Sequence, residues 1–318
     1  MNIETLVTRG AVAFLLGLPI GLLGCGANPA IRIPAAPEQK TSFHPEDPRT
    51  YDIHALNGAV ADEQQALYES QRKGSVDLAC VKEENWEVWS PSEPTVVAIV
   101  KGPQLSEQEQ RALDETVTYF GTAFSRVEYE YARFQDFRRL YDGASHDPRL
   151  LRVTIQQGLT SLYWGRHLLD FASTLESKGC SLKPFRRGLK AVSDIASDVG
   201  QGQLPAVMRQ LDPASDPWGS QLLRIQLAIF SGQDALSLCA GASRSLSTAS
   251  TPYDTSILTW CGYAAAQAGQ SEQAQTYWSW AGQSVHDPEG ASYALARIRD
   301  NAEGRVSRDM QIIAIRPE

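Results

Sequence analysis

Seven apolar side chains, Leu113, Val117, Phe120, Phe124, Val127, Tyr131 and Phe134, recur at alternating steps of four and three residues, and this run constrains the fold more than any other feature. Residues three and four apart share one face of an α-helix, so the spacing predicts a single long amphipathic rod. Its start is marked by Ser106-Glu107-Gln108-Glu109, a capping box in which the serine and the second glutamate satisfy each other's free backbone N–H groups. The pattern carries to about Tyr141.

The turn Asp142-Gly143-Ala144-Ser145-His146 leads into Asp147-Pro148, an N-cap followed by the proline favoured at the first helical position. A second helix follows to about Lys178, with Leu151, Ile155, Leu159, Leu162, Leu169 and Ala172 on one face. At 1.5 Å per residue each rod is about 45 to 50 Å long, and a turn this short makes them antiparallel neighbours. The aromatic wealth of the first rod, Tyr119, Phe120, Phe124, Tyr129, Tyr131, Phe134, Phe137 and Tyr141, exceeds what one seam needs, so a second packed face is expected. Gly121, Gly158 and Gly165 are expected at close approaches or bends.

Before the hairpin, 53–73 has a helical pattern through Leu56, Val60, Ala66 and Leu67, stopped at Gly74, and 76–89 is of ambiguous type. Thr95 to Val100 is short, β-branched and bounded by Pro94 and Gly102-Pro103, which reads as a strand, and 310–315 is a second such run. Whether the two pair is left open by the sequence. After residue 180 come shorter helices near 184–199, 204–211, 218–231, 235–246, 253–268, 272–285 and 289–301. The expected class is therefore mainly α, a long antiparallel hairpin followed by an array of short helix pairs, with minor β. The expected division is a leader over 1–24, a tether over 25–50, a hairpin domain over 51–180 and a repeat domain over 181–318.

Ala228, Gly232, Ala235, Cys239 and Ala242 parallel Ala265, Gly269, Ala274, Trp278 and Ala281. With Leu258, Cys261 and Gly262 before it, the second set resembles a tetratricopeptide repeat, although the family's proline is displaced to Pro288. Small residues at the crossing let two helices approach, bulky ones fill the gap to the next pair, and such units stack. The resemblance implies a partner-binding concave face lined by first helices, which here are Ser256, Thr259, Tyr263 and Gln267.

The N-terminus has one early base, Arg9, then an apolar stretch from Ala11 to Leu23 of signal-peptide length. Its end, Leu22-Leu23-Gly24-Cys25, resembles the lipobox of bacterial lipoproteins. That resemblance implies cleavage after Gly24 and lipidation of Cys25, and several acyl chains hold a protein on a bilayer where one would let it go. Gly26, rather than Asp, follows the cysteine, which leans towards an outer-membrane anchor facing the periplasm. The same run also fits an uncleaved anchor or a plain secretory signal. From Gly26 to Thr50, Pro29, Pro34, Pro37, Pro45 and Pro48 deny regular structure, as a tether requires.

Cys80, Cys180, Cys239 and Cys261 are an even set in a chain that reads as exported, so disulfides are expected and three connectivities are open. On the repeat resemblance, Cys239 and Cys261 lie on helices that pack together, which favours Cys239 with Cys261 and Cys80 with Cys180; four buried free thiols are the alternative. There is no Cys-x-x-Cys pair and no histidine at ligand spacing, so neither metal nor cofactor is expected.

A net charge of -8 with only short basic runs, Arg138-Arg139 and Arg186-Arg187, argues against nucleic acid as a partner. His44, His54, His146, His167 and His286 are scattered, and no metalloprotease, hydrolase or phosphate-loop motif occurs. Asp147-Pro148 and Asp287-Pro288 are explained by capping, and His167 beside Tyr163 and Trp164 reads as a packed histidine. Glu128 and Glu130, two apart on a helix, face different ways and make no acid pair. The leading expectation is a non-enzymatic envelope lipoprotein that binds a protein or peptide and helps assemble a membrane or secretion complex. A peptidoglycan- or glycan-acting enzyme and an extracytoplasmic ligand-binding protein are the alternatives.

Overall fold

The computed structural model describes residues 28, 30–34, 76–89, 95–143, 147–246, 251–284 and 310–315. The leader with Cys25, the tether apart from residues 28 and 30–34, the helices expected over 53–73 and 289–301, and His44, His54, His146 and His286 lie outside the described residues. Within the expected tether, Ile31–Pro34 is a strand rather than irregular chain, because its backbone pairs antiparallel with 95–98.

The two rods are α1 (Glu107–Gly143) and α2 (Pro148–Ser177), of 37 and 30 residues. That makes them about 55 and 45 Å long. The capping box is formed: the Ser106 N–H donates to Glu109 Oε2 at 2.9 Å and the Glu109 N–H to Ser106 Oγ at 3.4 Å. Asp147 accepts the Arg149 N–H at 2.8 Å, and Pro148 follows at the first helical position. As antiparallel rods require, buried Phe134 of α1 clusters with Leu151, Ile155, Leu159 and Leu162 of α2, and Phe120, Phe124 and Val127 with Leu168, Phe171, Ala172 and Leu175, whereas Leu113 packs with Ala79, Val81 and Trp86. Gly158 is a close approach, since a Cβ there would sit 2.8 Å from both Leu204 Cδ1 and Phe134 Cε2, and Gly165 would meet Ala196 at 3.4 Å. Gly121 is not: nothing lies within 4 Å of its Cβ position. One residue past the seam position Phe120, it is turned away from the neighbouring helix.

The second packed face of α1 is supplied by the chain after Cys180. A 3-10 turn, Lys183–Phe185, stacks Phe185 on Phe120 with centroids 4.3 Å apart, and α3 (Arg186–Ser197) lays Gly188 against the ring of Phe124. A wider π turn, Asp198–Gln203, joins α3 to α4 (Leu204–Met208). The Tyr131 hydroxyl of α1 donates to Asp198 at 3.0 Å across that turn.

Two pairs of short helices complete the array: α5 (Pro217–Phe230) with α6 (Ala235–Leu246), and α7 (Asp254–Gln267) with α8 (Ser271–Ala281). The turns within the pairs are built alike. Gly232 and Gly269 adopt φ of 70° and 74°, and the next residues, Gln233 and Gln270, donate back to Ala228 and Ala265 at 2.8 and 2.9 Å. This is the left-handed helix stop in which glycine avoids a Cβ clash. Ala274, Trp278 and Ala281 are buried on α8 as Ala235, Cys239 and Ala242 are on α6. A single cluster of buried side chains runs from Phe134 and Leu159 through Leu204 and Ile225 to Cys261 and Trp278, so the change at residue 180 is one of helix length within a continuous core.

The ambiguous stretch resolves into β2 (Val76–Cys80), a 3-10 turn at Glu83–Asn85 and β3 (Trp86–Trp89). β4 (Thr95–Val100) is the centre of an antiparallel sheet between β1 (Ile31–Pro34) and β3, whereas β5 (Met310–Ala314) pairs parallel with β2, Leu78 opposite Ile312. The two strands legible in the sequence therefore belong to different sheets. The start of α1 caps β2: the Asp77 and Ala79 N–H groups donate to Glu115 and Thr116 at 3.0 and 2.8 Å.

Candidate functional site

The face of α2 turned away from α1 carries Tyr163, Arg166, His167, Asp170, Thr174 and, just past the helix end, Lys178. Tyr163, His167, Asp170, Thr174 and Lys178 follow at steps of four, three, four and four, and Arg166 stands four before Asp170, which keeps them in line along the rod. Phe230 at the end of α5, Tyr263 and Gln267 on the last turns of α7, and Ile312 of β5 rise beside them, enclosing a groove of about 320 Å³ floored by Phe171 and Leu175. That is the size range of ligand-binding clefts.

One end is aromatic. Tyr163 meets Phe230 edge-on at 5.3 Å, Phe230 meets Trp260 at 5.2 Å, and Trp260 meets Tyr263 at 5.7 Å, a chain of edge-to-face contacts linking α2, α5 and α7. The His167 ring lies parallel to Tyr163 at 5.9 Å. Burial pushes its pKa below the usual value, against the opposing pull of Asp170, so the imidazole is neutral at pH 7. Beside this end, Arg166 pairs with Asp170 at 3.0 Å on an exposed helix face, where such a pair contributes little stability. The other end carries Lys178. Lys178 has no ion-pair partner among the described residues.

Of the four residues expected to meet a partner, the structure brings Tyr263 and Gln267 into the groove, where the Gln267 amide donates to the Tyr263 hydroxyl at 3.1 Å. Ser256 and Thr259 do not line it. Thr259 Oγ1 is buried and its carbonyl accepts the Trp278 indole N–H at 3.0 Å, so this stretch of α7 is turned towards α8. Cys80 bonds to Cys180 and Cys239 to Cys261, with Cα atoms 4.7 and 5.5 Å apart. The first staples β2 to the end of α2, and the second joins α6 to α7. Glu130 is fully buried, paired with Arg126 at 2.5 Å and accepting from Gln157 at 2.6 Å, so it ties the hairpin together inside the core, whereas Glu128 is only half-buried.

Sequence reasoning missed Arg166, Asp170, Lys178 and Phe230 as groove residues. The polar and aromatic stripe on α2 was a usable signal. The walls come from distant segments, and helical spacing carries no information on which of these will meet α2.

Among the described residues no three His, Cys, Asp or Glu side chains are placed to hold a metal ion, and no helix is long and apolar enough to cross a membrane. Compared with known proteins, the chain matches no family model, no curated protein and no solved structure.

Proposed function

We propose that this chain is a lipoprotein of the bacterial envelope, held at the outer membrane through Cys25, whose helical array binds a protein or peptide partner and serves as a scaffold in assembling a membrane or secretion complex. The observation that carries the reading is the groove along α2, into which Tyr263 and Gln267 project from the repeat face expected to meet a partner. The lipobox-like Leu22-Leu23-Gly24-Cys25 supports the anchor, and two disulfides support an oxidising compartment. Among the described residues the groove presents one carboxylate, Asp170, tied to Arg166, whereas glycoside hydrolysis calls for two carboxyl groups flanking the bond. Partner binding is thus favoured over a cell-wall enzyme.

The test is a photo-crosslinking amino acid placed at Gln267, with exposed Lys190 of α3 as the comparison position. A discrete adduct from position 267 in the membrane fraction, absent from position 190, is the expected result. Equal labelling from both positions, or none from 267, overturns the partner reading. Cys25→Ser is expected to release the protein from membranes and to lower its apparent mass by the lost acyl chains; unchanged fractionation and mass overturn the anchor.

A further inference from the structure

We infer that the groove along α2 takes an extended peptide segment with an apolar or aromatic side chain at one end and acidic side chains at the other; the inference rests on the partner-binding reading above. Length argues first. From Tyr163 to Lys178 the lining follows α2 for about 22 Å at 1.5 Å per residue. A compact metabolite such as a monosaccharide does not touch both ends, whereas about seven residues of extended chain, at 3.3 Å each, do so.

Chemistry fixes the polarity of the segment. The Tyr163, Phe230 and Tyr263 end offers ring edges and apolar surface to one anchoring side chain, and the neutral His167 adds no charge there. Along the groove the charges of Arg166 and Asp170 cancel, so Lys178 at the other end leaves a local excess of one positive charge on a molecule whose net charge is -8. An acidic residue there gains an ion pair at the rim of the groove, and the rest of the surface repels acidic chain that is out of register. Gln267 and Thr174 stand between the two ends, with side-chain groups suited to a peptide backbone. A neutral glycan could stack on the aromatic end but draws nothing from Lys178.

The test uses the full mature chain and fluorescence anisotropy of fluorescein-labelled seven-residue peptides bearing Phe at one end and two glutamates at the other, made in both chain directions. Lysine-bearing counterparts and a tetramer of N-acetylglucosamine complete the set. One glutamate peptide is expected to bind at least about tenfold more tightly than its lysine counterpart, 1.4 kcal/mol, and to weaken as salt rises. Lys178→Glu, an exposed change that leaves the core intact, is expected to invert that preference, and Tyr263→Ala to weaken both peptides alike. Equal binding of the two charge types, no inversion in Lys178→Glu, or displacement of the peptide by the glycan at lower concentration than by unlabelled peptide overturns the inference. Absence of peptide binding while position 267 still crosslinks to a partner overturns the acidic-peptide assignment alone; absence of both overturns the partner-binding reading as well.

Discussion

Gly262 of α7 lies flat against the indole of Trp278 on α8, so closely that a Cβ at position 262 would overlap the ring. The same indole donates to the Thr259 carbonyl at 3.0 Å, one turn earlier on α7, which fixes the ring against that helix. A small residue on one helix and the largest residue on the next are thus one packing decision. Gly262→Val is expected to cost about 1 to 3 kcal/mol through overpacking. Gly121→Ala, in a helix interior with open space around it, is expected to gain up to about 1 kcal/mol. Urea unfolding of the two variants decides the matter, and equal effects would show that the α7 and α8 contact is loose.

The two disulfides differ in the loop that each closes. Cys80 and Cys180 are 100 residues apart in sequence, Cys239 and Cys261 only 22. Cross-linking restricts the unfolded chain more as the loop lengthens, so Cys80→Ser/Cys180→Ser is expected to cost about 4 to 5 kcal/mol and Cys239→Ser/Cys261→Ser about 3. Thermal unfolding of the two double variants checks the order. The reverse order would place the stabilisation in the folded state, in the buried contacts of Cys239 and Cys261, rather than in chain entropy.

Asp216 binds three elements at once. It caps α5 by accepting the Gly219 N–H at 3.0 Å, pairs with Arg152 of α2, and accepts the Tyr253 hydroxyl, just before α7, at 3.2 Å. Burial raises its pKa, but these donors outweigh burial and hold the carboxyl below its ordinary value. A depressed folded pKa means stability that is full above the unfolded value, about 3.9, and lost as pH falls through the folded value. Asp216→Asn is expected to flatten the acid limb of the stability profile below about pH 4. Asp216→Ala is expected to lose in addition about 0.5 to 2 kcal/mol from the cap at neutral pH. Denaturant unfolding at pH 3, 4 and 7 measures both.

The hairpin was legible because its signals are local: the Ser106 to Glu109 box, the Asp147-Pro148 start and the four-and-three spacing each act within one or two turns of helix. The helix pairs were legible for the same reason, through Gly232 and Gly269 and the small residues at each crossing. Strand pairing was not. Val76 to Cys80 finds its partner in Met310 to Ala314 across about three quarters of the chain, and no local spacing encodes that choice. The groove is legible only in part for a related reason. Tyr263 and Gln267 follow from the repeat face, but that face meets α2, and nothing local in the stripe from Tyr163 to Lys178 specifies which helices will rise beside it.

His167 supplies a pH test of the groove itself. Its ring stacks on Tyr163, and burial lowers its pKa, with Asp170 one turn along pulling the other way. In the unfolded chain the imidazole takes a proton near its usual value of about 6.5, while the folded protein resists until lower pH. Unfolding is therefore favoured progressively as pH falls from about 7 towards the folded pKa, and below that the loss is complete. His167→Gln removes the titrating group, so the fall in Tm between pH 7.5 and 5.5 is expected to be smaller in the variant than in the parent, even if its Tm at pH 7.5 is lower through loss of the ring stack. Because every other group is the same in both proteins, the difference of differences isolates this one. An equal fall in the two would mean that His167 reaches water freely and that the aromatic end of the groove is more open than its geometry indicates.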